Sequence, residues 1–184
     1  MGGFAFWAPS FLVRVHHMDL ASATAFFGQA LVVMGLLATI GGGYLATAWQ
    51  RRTGTGYAWV LALSAVLAAP ASYAAFSLAD LGAAKTALAA SMFLLFLGTG
   101  PVNTLILETV PVRVRASAVA ASIFSIHMFG DLWSPTLLGS LSDRWGDLQR
   151  ACLWALPGAL AVSAFFWCLL VVWTKRTKPA RADG

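Results

Sequence analysis

Residues 56–79 read GYAWVLALSAVLAAPASYAAFSLA, an unbroken run without one charged side chain. Coiled as an α-helix, such a run is long enough to cross roughly 30 Å of hydrocarbon. Four more stretches share its character, at about 23–48, 86–109, 116–141 and 150–174. Each is bounded by charge or by turn residues, and the five together predict five full transmembrane helices. A sixth apolar run, Gly2 to Val13, covers only about 18 Å as a helix and does not cross alone. It is either the tail of a longer helix or an interfacial segment. The composition agrees: of 184 residues 59% are hydrophobic and 10% charged, against roughly 45–50% and 25% in soluble domains. The fold class read from these facts is all-α integral membrane, with five full helices and a partial sixth. All connections are short, so neighbouring helices are expected to pack antiparallel.

Charge sets the expected orientation. One alternate set of connections carries Arg51, Arg52, Arg113, Arg115, Lys175, Arg176, Lys178 and Arg181. The other carries Arg14, Lys85, Arg144 and Arg150, matched by Asp19, Asp80, Asp143 and Asp147. Basic residues favour the cytoplasmic side, so the first set is expected there, with residues 175–184 as a basic cytoplasmic tail. The net charge of +5 is spread over these loops and points to no nucleic acid. This topology places Met1 inside the bilayer, where a charged amino terminus is costly. The expectation is that the protein continues upstream or that residues 1–13 are displaced. The organisation read is therefore residues 1–13 as the end of a truncated transmembrane helix, 14–174 as the five-helix remainder of a bundle, and 175–184 as the tail.

Ionisable groups inside spanning helices are expensive and mark function. Three stand out: Glu108, His127 and Asp131. His127 and Asp131 are spaced i, i+4 and share a face, near Ser117, Phe124 and Ser134. Such a stripe is expected to face the bundle interior or a watery cavity, and a histidine beside a carboxylate can change charge near neutral pH. Pro135 predicts a bend there. Gly98-Thr-Gly-Pro-Val-Asn103 loosens another helix, and Asn103 is a candidate cavity residue. Glycines at 41–43, 98 and 100 allow close helix approach. Near the cytoplasmic end, Glu108 has Arg51, Arg52, Arg113 and Arg115 as candidate partners in a gating cluster. Each of these features also has a plainer reading: a buried packing pair, helix–helix glue, or a topology signal. The neighbouring His16 and His17 lack metal-ligand spacing, and no metal or cofactor is expected. Cys152 and Cys168 would stand about 24 Å apart on one helix and cannot bridge. No HExxH, GxSxG or Walker A string is present, so the sequence offers no catalytic residues and no enzyme.

Several strings carry a family likeness. Gly42-Gly-Tyr-Leu45 through Gln50-Arg51-Arg52 resembles the loop after the eighth helix of the major facilitator superfamily, with Thr47 or Ala48 standing where an Asp is usual. Glu108-Thr-Val-Pro111-Val-Arg113-Val-Arg115-Ala116 looks like its loop between helices ten and eleven. Ser122-Ile-Phe-Ser-Ile-His127-Met-Phe-Gly130-Asp131-Leu-Trp-Ser134-Pro135 is similar to the spinster branch, as are Gly100-Pro-Val-Asn103 and Leu138 to Asp143. Gly2 to Pro9 looks like the end of helix seven.

The resemblance implies the C-terminal half of a major facilitator fold, helices seven (in part) to twelve. It implies a secondary transporter working by alternating access between two bundles, with Asn103, His127, Asp131 and Ser134 on one cavity wall. Spinster-like members are associated with export of lysophospholipids and sphingoid phosphates, in some with proton coupling, and in that family the main proton-coupling residues are placed in the N-terminal half. The expected partners are thus the lipid bilayer, an N-terminal transporter half, a small organic or lysolipid-like substrate, and protons. A multi-pass place in a bacterial inner (plasma) membrane is expected, with the C-terminus cytoplasmic. The alternatives are a non-transporting truncated fragment and one half of a split transporter that needs a partner chain. Alone, the bundle would turn its polar stripe to lipid and is expected to be unstable or to pair.

Overall fold

A computed structural model describes residues 2–177; Met1, and Lys178 and Arg181 of the basic tail, lie outside the described residues. The described chain is helical from end to end: α1 (Gly2–Arg14), α2 (Leu20–Thr53), α3 (Gly56–Ser77), α4 (Leu81–Leu97), α5 (Thr99–Thr109), α6 (Arg115–Ser125), α7 (Ser134–Trp145) and α8 (Leu148–Thr177). A 3₁₀ turn, Val112–Val114, precedes α6, and a π turn, Ile126–Asp131, joins α6 to α7. Five spans are long and apolar enough to cross a membrane: Leu20–Thr53, Gly56–Ser77, Leu81–Thr109, Val112–Trp145 and Leu148–Arg176. The five expected spans are therefore present. Their bounds need correction, because helices continue past the apolar runs into polar residues that still satisfy their backbone helically. The string 42–52, expected as a loop, is the last part of α2. Residues 175–177, expected as tail, extend α8.

Three aspartates set where helices begin. Asp19 Oδ1 accepts the Ser22 N–H at 2.8 Å, Asp80 Oδ2 the Ala83 N–H at 2.7 Å, and Asp147 Oδ1 the Arg150 N–H at 3.0 Å. Each satisfies an orphan donor in the first turn of α2, α4 or α8. Read from sequence as charge partners of the loop arginines, they are helix caps.

The short α1 is a bundle helix and not an interfacial one. Phe4, Ala8, Phe11 and Leu12 are all buried, a one-sided helical stripe. Phe76 of α3 receives it, with ring centroids 4.8 Å from Phe11 and 5.8 Å from Phe4, both edge to face, the favoured aromatic geometry. Phe27, Leu88, Met92, Leu138 and Cys152 complete this core from α2, α4, α7 and α8. Outward, α2 shows Val32, Val33, Leu36, Leu37 and Ile40, and α8 shows Phe165, Phe166 and Leu169. An apolar exterior of this kind fits lipid as solvent.

At the other end, α2 crosses the α4–α5 junction with backbone nearly in contact. A methyl group at Gly42 would come within 2.9 Å of the Leu97 carbonyl carbon, and one at Gly100 within 3.4 Å of Gly43 Cα. The glycines at 42, 98 and 100 thus provide the close approach expected of them, while at Gly41 and Gly43 an added methyl would meet nothing within 4 Å. Gly42→Ala is expected to force the helices apart and lower stability by about 1–3 kcal/mol. Gly41→Ala is expected to leave stability unchanged or raise it slightly. Thermal unfolding in micelles compares the two; equal losses at both positions would show that the crossing is not tight.

Candidate functional site

The candidate residues converge near the middle of the span Val112–Trp145, where its helix is irregular. The Leu132 N–H donates to the His127 carbonyl, five residues back, at 3.0 Å. Such π turns are rare and often sit at functional sites. Pro135 follows in the first turn of α7 and supplies no N–H for the Asp131 carbonyl four residues earlier. The expected bend is therefore a π turn placed just before the proline.

Within this turn His127 Nδ1 lies 3.0 Å from Asp131 Oδ2. The histidine side chain is 68% exposed and the aspartate 28%, so the pair presents its imidazole outward and anchors its carboxylate inward. The anchor is α1. The Gly2 N–H donates to Asp131 Oδ1 at 2.7 Å, and the Gly3 N–H to Ser134 Oγ at 2.9 Å. The Trp7 indole N–H donates to the Pro135 carbonyl at 2.9 Å. This docking needs bare glycine: a methyl at Gly2 would stand 2.8 Å from Asp131 Cα, and one at Gly3 would stand 3.2 Å from Ser134 Cβ. Trp7 also lies against Gly139, where a methyl would be 3.1 Å from the indole. Beside Ser134 a small apolar cavity of about 120 Å³ opens between Gly3, Phe4, Leu95 and Leu156.

Ser117, Phe124 and Ser125 are exposed on α6. No residue in the most apolar 18-residue window of this span is buried. Asn103 is exposed on α5, which packs on α6, and its amide donates to the Thr99 carbonyl at 3.0 Å. The structure thus joins His127 and Asp131 directly, holds Ser134 beside them through α1, and leaves Asn103 on a neighbouring helix.

The gating candidates stand at one end of the bundle. Arg51 and Arg52 close α2, Glu108 closes α5, Arg113 lies in the 3₁₀ turn and Arg115 opens α6; all five are exposed. Among the described residues none of them forms an ion pair. What ties this end together is aromatic. Trp49 of α2 stacks on Trp59 of α3 at 5.9 Å and 8°, and Lys175 Nζ of α8 sits 4.7 Å from the Trp59 centroid. Sequence reading missed this stack because its members come from three helices, and Lys175 of α8 is more than a hundred residues away in the chain. It also missed His16. That imidazole packs edge to face on Phe11 at 5.2 Å, and its Nε2 is buried without a partner.

Burial lowers the His16 pKa from its ordinary value near 6.5; Asp80 opposes this and His17 adds to it. The folded state therefore favours neutral His16. The stabilisation is present above pH about 6.5 and is lost as pH falls through the lowered folded-state value. His16→Gln is expected to flatten that part of the stability–pH curve, read by thermal unfolding between about pH 7.5 and 5. An unchanged acid-side slope would contradict the assignment.

No protein-family model matches the chain. Among curated proteins it is 32% identical over 92% of its length to "Probable sphingolipid transporter spinster homolog 2" of Arabidopsis thaliana, covering 34% of that protein. It is 29% identical over 77% of its length to "Protein spinster homolog 3" of Mus musculus, covering 30%. It is 27% identical over 77% of its length to "Sphingosine-1-phosphate transporter SPNS2" of Danio rerio, covering 31%. The chain spans about a third of the length of these relatives. Among solved structures it matches a bacterial homologue of the human lysosomal transporter spinster, described as inward-facing and occupied. The TM-score is 0.67 at 19% identity, covering 96% of this chain and 47% of the other. That likeness bears on the fold.

Proposed function

We propose that this chain, similar to proteins named spinster homologues and sphingolipid transporters, belongs to the spinster-like branch of the major facilitator superfamily and forms the C-terminal bundle of a secondary transporter. The transporter moves a lipid-like organic solute by alternating access against a second, N-terminal bundle. The names of the relatives, among them a sphingolipid transporter and a sphingosine-1-phosphate transporter, support a lipid-like solute. None of the relatives described above is named as an enzyme.

One observation carries the reading. The His127–Asp131 pair sits on a π turn at mid-span; α1 holds the carboxylate, the imidazole stays 68% exposed, and no residue in the most apolar window of the span is buried. A polar pair is costly against hydrocarbon, so the face belongs against a cavity and a second bundle. Ser134 and Asn103 extend the same wall, and the exposed Phe124 offers apolar contact to a solute's hydrophobic part. His127 beside Asp131 adds an ionisable pair to this wall, and proton coupling is included in the proposal. At the other end, Glu108 with Arg51, Arg52, Arg113 and Arg115 forms the expected cytoplasmic gate, pairing in one state and parting in the other. The protein is placed as a multi-pass inner-membrane protein of a bacterium with its C-terminus in the cytoplasm.

In the complete transporter, Asp131→Asn and His127→Ala are expected to lower solute transport about ten-fold or more, about 1.4 kcal/mol in the transport step. Expression is expected to fall far less. Transport by proteoliposomes, normalised to protein and followed against pH, makes the comparison. Wild-type transport in both variants would sink the proposal.

A further inference from the structure

The packed pair of α3 and α8 carries a groove on its outer surface. At one end the Gln149 side chain donates to the Phe76 carbonyl at 2.9 Å. Toward the other, Ala58 and Ala62 of α3 and Val171 of α8 are buried together. The groove measures about 450 Å³ and is lined by Pro70, Tyr73, Trp154, Pro157 and Gly158. That is within the range of small-ligand sites, roughly 300–1,000 Å³. Its floor is notched at Gly158, where an added methyl would meet nothing within 4 Å. The groove belongs to a different helix pair from the His127–Asp131 wall, which α1, α6 and α7 build.

Polarity along the groove is graded. Arg150 stands four residues before Trp154 on α8, one turn nearer the helix start and on the same stripe. Its side chain is exposed, and its guanidinium lies 5.4 Å from the Trp145 centroid. Asp147, the carboxylate in the preceding turn, is engaged as the α8 cap. Below Arg150 come Trp154 and Tyr73, 69% and 55% exposed. Among the described residues the indole N–H and the phenol O–H have no partner. Such rings suit the level of lipid headgroups. Deeper still the lining is proline, glycine and alanine. Cation, then hydrogen-bond donors, then apolar notch is the order in which a phospholipid presents phosphate, ester and chain.

We propose that this groove is a phospholipid site: one acyl chain lies in the Pro70–Pro157–Gly158 notch, and the phosphate sits at Arg150. The lipid fills the surface groove where α3 and α8 meet. It is a bound component of the bundle, separate from any transported solute.

The full chain in phosphatidylglycerol vesicles, doped with a phosphatidylglycerol bearing a photoreactive acyl chain, provides the test. Crosslinks are expected to concentrate on peptides holding residues 69–73 and 153–161. Gly158→Phe and, from the facing helix, Ala69→Phe are each expected to cut that labelling at least five-fold with helicity unchanged. Arg150→Gln is expected to cut it about three-fold, while leaving labelling by a diacylglycerol probe, which lacks the phosphate, unaltered. Labelling spread evenly over all lipid-facing helices would mean bulk annular lipid and overturn the proposal. So would full labelling in both groove-filling variants, or equal labelling by the two probes with Arg150→Gln at the wild-type level.

Discussion

In hydrocarbon no water is present to satisfy a backbone N–H or C=O, so every such group must find its partner inside the chain. The described residues obey this by being helical almost throughout. The constraint also explains the ends. Helices start where Asp19, Asp80 and Asp147 can take the orphan donors. With backbone demands met locally, the helices are free to be joined by shape. Small residues allow the α2 crossing at Gly42, and the edge-to-face rings of Phe4, Phe11 and Phe76 lock α1 into the core.

The π turn at Ile126–Asp131 departs from this regularity, and its surroundings compensate for the departure. Pro135 removes one donor, and the turn's looser ladder leaves polar backbone near the middle of the span. α1 meets this stretch with three hydrogen bonds, from the Gly2 and Gly3 N–H groups to the Asp131 and Ser134 side chains and from the Trp7 indole to the Pro135 carbonyl. Those contacts fix the carboxylate while its histidine partner stays open. An irregular, polar stretch at membrane depth is tolerated where it is covered by protein or lines a cavity. Here one side is covered by α1, and the other is the wall assigned to the transport path.

The spans were legible because a run such as 56–79 excludes other folds by composition alone. The His127–Asp131 pairing was legible because four-residue spacing survives both a regular helix and this π turn. Helix ends were less so. The apolar run stops near residue 48, yet α2 continues to Thr53, since an exposed helical turn needs no hydrophobicity. The π turn itself carried only the signal of Pro135, which predicts irregularity without its type. The dependence of Asp131 on Gly2, and the approach of Lys175 to Trp59, join residues far apart in the chain, and no local pattern encodes such pairings. The aspartate caps could have been found, because an Asp just before an apolar run is a start signal.

The proposed transport path requires the face of α6 and the π turn to line an aqueous route once a second bundle is in place. Single cysteines at Ser117 and Phe124, which share the face of Asp131 at seven-residue spacing, and at the outward Leu36 and Val162 as controls, test it in the complete transporter with Cys152 and Cys168 replaced. The probe is a water-soluble, membrane-impermeant thiol reagent. Ser117→Cys and Phe124→Cys are expected to react and to be slowed by bound solute, while the two controls stay unreactive. Reaction at Ser117→Cys and Phe124→Cys no faster than at Leu36→Cys and Val162→Cys would contradict it.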